Sequence, residues 1–109
     1  MPNDTPLVHG TLDALILKTL TFGPRHGYAI VQWLGQQTQD KLQVEEGSLY
    51  PALYRMERDG WIKADWGTSE LGRKAKFYSI TEAGRRQLRA EAQSFAHFVD
   101  AVAPLLLPT

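Results

Sequence analysis

The 109-residue chain has no cysteine. That removes a disulfide scaffold, a thiolate nucleophile and any zinc site built on cysteine ligands. It has no net charge either, with twelve basic and twelve acidic residues. No apolar run is long enough to cross a bilayer or to act as a secretory signal, so the sequence reads as cytoplasmic and without membrane association. The three histidines, His9, His26 and His97, are scattered and lack metal-ligand spacing. One phosphate-loop imitation, G-T-S-E-L-G-R-K at residues 67–74, places Arg73 where lysine is required and Lys74 where a hydroxyl should ligate magnesium. A hairpin turn accounts for it better. An enzyme therefore has no nucleophile, base or cofactor motif to stand on, and no cofactor or metal is expected.

The zero net charge conceals a division along the chain. Between Ser48 and Arg89 there are nine basic residues against five acidic ones, a surplus of four, and the remainder carries the opposite balance. A positive half on a neutral protein is the asymmetry that a localised nucleic-acid surface requires. The basic half opens with residues 44–62, V-E-E-G-S-L-Y-P-A-L-Y-R-M-E-R-D-G-W-I, which read as a short helix. Ser48 can cap it, Pro51 falls in its first turn, and Gly60 can end it in a left-handed conformation. Leu49, Leu53 and Met56 form one apolar stripe, which Ile62 extends. The other side carries Ser48, Pro51, Ala52, Arg55 and Arg58, flanked by Tyr50 and Tyr54. Small residues there permit close approach to a large anionic surface, and the arginines can grip it. An ordinary amphipathic helix with solvated arginines has the same pattern.

The order of elements around this helix narrows the fold. Residues 1–9 have no pattern and read as a flexible arm. A first helix is capped by Thr11, carries Asp13 near its positive end and stops at Gly23-Pro24. It is apolar nearly all round, so it needs two covers. His26-Gly27-Tyr28 opens a second helix with Ile30, Val31 and Leu34 inward and Trp33 ambiguous. Residues 42–44 alternate as a short strand. After Gly60, Ile62, Ala64 and Trp66 alternate with Lys63 and Asp65, and residues 74–80 return, giving a hairpin with Arg73, Lys74 and Lys76 on its basic arm. Thr81 caps a last helix with Leu88, Ala92, Phe95, Val99 and Val102 in a heptad seam, too short to stand alone and expected to pack on helix one; Pro104 ends it. The sum is a mainly α fold with a small β-hairpin: a winged helix-turn-helix over residues 10–80, a dimerisation helix over 81–103 and a tail over 104–109.

These motifs together resemble the PadR family of transcriptional regulators, in its short form with a single C-terminal helix. The resemblance is carried by G-T-L-D-A-L-I-L at 10–17, H-G-Y at 26–28, E-E-G-S-L-Y-P-A-L-Y-R-M-E at 45–57, D-G-W-I at 59–62, G-R-K-A-K-F-Y at 72–78 and I-T-E-A-G at 80–84. Trp61 departs from the aliphatic residue commoner there. The resemblance implies a homodimeric, ligand-responsive repressor whose third helix and wing bind double-stranded operator DNA. Ser48, Tyr50, Pro51, Tyr54 and Arg55 fall on the recognition motif, with Arg58 beside them, and Arg73, Lys74 and Lys76 on the basic wing. Leu12 joins Leu88, Ala92, Phe95, Val99 and Val102 as the expected dimer interface. Some proteins of this kind stack planar aromatic or phenolic compounds on the last helix, which singles out Phe95, Phe98 and Trp33; the same rings suit a plain core. The rival from another class is a winged-helix protein-interaction module without DNA binding. Three clustered wing cations suit phosphates better than a mixed protein surface.

Overall fold

The computed structural model describes the chain from residue 6 to residue 107, with side chains from Gly10 onward. The order is α1 (Pro6–Leu20), β1 (Arg25–His26), α2 (Gly27–Gln37), α3 (Glu46–Arg58), β2 (Ile62–Thr68), β3 (Lys74–Ile80) and α4 (Glu82–Leu106). This is the mainly α architecture with a hairpin that the pattern predicts. α1, α2 and α3 meet around Ile16, Leu17, Leu20, Ile30, Leu34, Leu49, Leu53 and Met56, and the hairpin closes the core with Ile62 and Tyr78. The stripe on α3 is fully buried, and Ile62 does extend it. Among the described residues no helix is long and apolar enough to cross a membrane.

Two boundaries follow from named caps. Thr81 Oγ1 accepts from the Gly84 N–H at 3.0 Å and starts α4. At the end of α3, Gly60 adopts φ +82°, the Gly60 N–H bonds to the Glu57 carbonyl and the Trp61 N–H reaches back to Met56. That left-handed Schellman closure turns the chain directly into β2. β2 and β3 pair antiparallel from Ile62↔Ile80 to Thr68↔Lys74, with Gly72 at φ +76° in the turn between them.

Six local expectations are corrected. α1 begins at Pro6, a residue suited to a first helical turn, so Thr11 lies inside the helix and not at its cap, and Asp13 stands at mid-helix. Residues 6–9 of the expected flexible arm are therefore helical, and its first five residues lie outside those described. Residues 42–44 form no strand: β3 takes β2 on one edge and Arg25–His26 on the other, leaving the order β1-β3-β2. The link before α3 is instead pinned by Thr38 Oγ1, which donates to the Leu34 carbonyl at 2.8 Å and accepts from the Leu42 N–H at 3.2 Å. α3 starts at Glu46, because the Glu45 carbonyl already accepts from Ser48 and Leu49; Ser48 is in the first turn and is not the cap. Pro51 is then interior, and the carbonyl it leaves without a helical donor belongs to exposed Gly47, where water can serve. Pro104 likewise sits inside α4, which runs on to Leu106.

α4 packs along α1, as the two-sided apolar character of α1 requires. A Cβ on Gly10 would meet only the Glu91 carboxylate, the flexible end of a side chain that can shift aside. Beyond that contact α4 extends past the body, giving a molecule 51 Å long and under 30 Å in its other two dimensions. Buried Gly84 faces a harder limit, since a Cβ there would overlap the backbone carbonyl of Trp61. Gly84→Ala is expected to destabilise the fold by about 1–3 kcal/mol, the usual cost of forcing extra volume into a packed site. Urea unfolding followed by circular dichroism measures the loss.

Candidate nucleic-acid interface

Because Leu49, Leu53 and Met56 are buried, the opposite side of α3 is held outward: Ser48, Tyr50, Pro51, Tyr54 and Arg58 are all exposed, Tyr54 at 71%. Ala52, assigned from sequence to this outer face, is buried at 3% and belongs to the core. Arg55, assigned to the same outer face, is half-buried. Its Nη1 and Nη2 donate to the two carboxylate oxygens of Asp13 at 2.8 and 3.0 Å, and the Asp13 side chain is only 4% exposed. Arg55 lies at the border between the buried and outer faces of α3, so its side chain finds a carboxylate on α1 before it finds solvent. The hydrogen bonds to Asp13, opposed by burial and helped by the charges of Asp13 and Asp59, raise the Arg55 pKa further above its ordinary value.

The wing stands beside the start of α3. Arg73, Lys74 and Lys76 are exposed on its return strand and turn. Lys74 lies over the Trp66 ring at 5.3 Å, a cation–π contact that orients its ammonium group. Lys76 pairs with Glu57 of α3 at 3.4 Å and lies 5.9 Å from the Tyr78 ring. Burial pushes the Tyr78 hydroxyl up, against the pull of Lys76. Arg58 pairs locally with Asp59 at 3.3 Å.

A cleft of about 840 Å³ opens between the wing and the starts of α2 and α3, lined among others by Tyr28, Tyr50, Trp66, Arg73, Lys74 and Tyr78. Tyr50 lines it, packed so closely on Gly27 that a Cβ there would meet the phenol ring. His26 lines it too. Its Nδ1 accepts from the Ala29 N–H and so caps α2, which leaves Nε2 to donate to Glu70 of the wing turn at 3.4 Å, and its ring meets Phe77 edge-on at 5.3 Å. The Glu70 carboxyl is held below its ordinary range, first by its own backbone N–H and then by His26. Sequence reasoning singled out neither Tyr28 nor Trp66 for this face, although an exposed aromatic within a basic stretch was the available signal.

The second candidate surface lies on α4. Phe95, Phe98 and Val99 are 47%, 42% and 38% exposed, and Ala92 is exposed between them and the body. Leu12 and Leu88, expected at a dimer interface, pack against the core of their own chain, and Val102 is half-buried. Trp33 is engaged away from these rings, its centroid 5.4 Å from Phe22 and 5.7 Å from the Arg25 guanidinium carbon. Among the described residues no cluster of three or more His, Asp or Glu side chains could hold a metal ion.

Residues 16–90 match the family model for PadR-like transcriptional regulators. The chain belongs to the PadR-like family. Similar solved structures agree: a PadR-like transcriptional regulator from Bacillus cereus is 31% identical, with TM-score 0.74 over 96% of this chain and 100% of that one. A transcriptional regulator from Clostridium thermocellum has TM-score 0.81 at 25% identity, covering 91% of this chain and 96% of that one. An uncharacterized protein X of Lysinibacillus sphaericus is 32% identical over 90 residues, 83% of each chain. A PadR-like regulator has DNA as its partner, and the exposed side of α3 with its adjoining wing is the face whose charge suits one.

On that face Lys74 and Lys76 differ in their present partners, the Trp66 ring for one and the Glu57 carboxylate for the other. Lys74→Ala is expected to lower the slope of log affinity against log salt by about 0.9, the value of one phosphate contact. Glu57→Gln frees Lys76 and should strengthen binding to any duplex by roughly two- to fivefold, the worth of an exposed ion pair. Fluorescence anisotropy across a salt series measures both.

Proposed function

We propose that this protein is a homodimeric transcriptional repressor, acting in the cytoplasm, which binds an inverted-repeat operator through α3 and the wing and is released by a planar aromatic or phenolic effector. The observation that carries the reading is the pairing of two surfaces on one small body: a basic, aromatic face at the α3–wing junction and an exposed apolar stripe on α4. Ser48, Tyr50, Pro51 and Tyr54 enter the major groove, while Arg58, Arg73, Lys74 and Lys76 meet phosphates. The α4 stripe covers its partner's equivalent in a self-complementary contact, with Ala92 allowing close approach and Phe95, Val99 and Val102 supplying apolar area. Two-fold symmetry then places operator half-sites about one helical turn apart, or a multiple of it.

The effector follows from the same stripe. The separation of the two α3 helices depends on how the α4 helices cross, and a ring inserted beside Phe95 and Phe98 alters that crossing. A tenfold loss of DNA affinity needs about 1.4 kcal/mol of preference for the released arrangement. One stacked aromatic pair supplies roughly 0.5 to 1.5 kcal/mol beyond its area burial.

Light scattering of the free protein tests the dimer. The wild type is expected at twice the monomer mass at tens of micromolar. Replacing Phe95 and Val99 with serine should yield a monomer, since two apolar side chains worth about 1.5–3 kcal/mol each lose their burial. A wild-type monomer would contradict the proposal. For the effector, Phe95→Ala should reduce the affinity for a binding phenolic or polycyclic compound more than the affinity for DNA, read by tryptophan fluorescence and by anisotropy of a labelled duplex.

A further inference from the structure

We propose that Asp13, buried on α1 away from the DNA-binding face, determines operator discrimination by fixing the recognition helix through Arg55; the inference rests on the DNA-binding reading above. A buried carboxylate is unfavourable unless it is paired and hydrogen-bonded, and a buried ion pair contributes little that apolar packing could not. What it adds is geometry. Beside this pair, α1 and α3 contribute Ile16, Leu17, Leu20, Leu49, Leu53 and Met56 to one apolar cluster. Such contacts fix which side of α3 faces inward, but being non-directional they define its exact rotation less sharply than a hydrogen bond does. Two parallel N–H···O bonds at 2.8 and 3.0 Å fix both distance and angle.

Arg55 follows Tyr54 directly on α3, so the roll that this fork sets decides which way Tyr50, Pro51 and Tyr54 point. Asp13 in turn belongs to the helix that packs along α4, where Gly10 lies close against Glu91. The pair thus ties the base-reading side chains to the part of the molecule that carries the α4 stripe. Asp13 and Arg55 are positioning residues in this account and touch no DNA.

The test uses a duplex enriched by the wild-type protein from a randomised pool and a scrambled duplex of the same composition. Asp13→Asn and Arg55→Gln should each weaken the enriched duplex by about tenfold or more, the scale of one misplaced base contact. The scrambled duplex should stay within about twofold and the salt slope should not change, because no phosphate contact is lost. The double variant should be no worse than the weaker single one, as expected for two halves of one interaction. Asp13→Glu retains both charges and covers the case of an Asn variant that fails to fold. It should melt within about 4 °C of wild type and still lose discrimination by about threefold or more. A lower salt slope for Arg55→Gln, with Asp13→Asn binding like wild type, would make Arg55 a phosphate ligand and overturn the proposal. Equal losses on both duplexes that simply follow the melting temperature would also overturn it. A wild-type protein that enriches no sequence would overturn the DNA-binding reading and this inference with it.

Discussion

The burial of one stripe of α3 is the constraint on which the rest of the molecule depends. Leu49, Leu53 and Met56 are each fully removed from solvent against α1 and α2. At roughly 25 cal/mol per Å² of apolar surface, anchoring of this kind is worth a few kcal/mol, enough to hold a thirteen-residue helix that would be marginal alone. A buried stripe on one side means a presented face on the other. The same turn that ends α3, closed by Gly60 and the Trp61-to-Met56 bond, delivers the chain into the hairpin, so wing and helix arrive at one cleft as a consequence of a single local motif.

The second constraint is that α1 serves two neighbours. Its buried residues cover α2 and α3, and its other side lies along α4. α4 is thereby fixed to the body at its start and left exposed further along, where Phe95, Phe98 and Val99 face outward. A small PadR-like chain obtains from this arrangement two surfaces of opposite character. One is basic and aromatic, the other apolar, and neither interrupts the core.

Most of the fold was legible in the sequence because it is written in local signals. Period-three-and-four apolar spacing marked the α3 stripe, period two marked the hairpin, and single residues marked the ends of elements at Gly60 and Thr81. What was not legible depends on partners distant in sequence. Arg55 read as an outer-face cation, but the carboxylate that draws it inward is Asp13, forty-two positions away. The strand at Arg25–His26 is two residues long and exists only through its pairing with Tyr78 and Phe77. Ser48 resembled a cap because the actual start of α3 is capped by no side chain. Leu12 and Leu88 had the spacing of interface residues, and periodicity cannot distinguish a partner's surface from the chain's own core. Ser48, Pro51 and Arg58 of α3 and the wing cations are exposed as expected, following from the buried stripe and the hairpin register, whereas Ala52 and Arg55 of the same expected face are drawn inward.

Hydrogen exchange of the backbone amides, measured with and without a wild-type-selected duplex, most directly tests the claim that α3 and the wing form one DNA-binding face separate from α4. Slower exchange is expected in residues 46–54 and 69–76 on adding the duplex, with residues 92–102 unchanged. Protection confined to α4, with α3 and the wing turn exchanging as in the free protein, would contradict it.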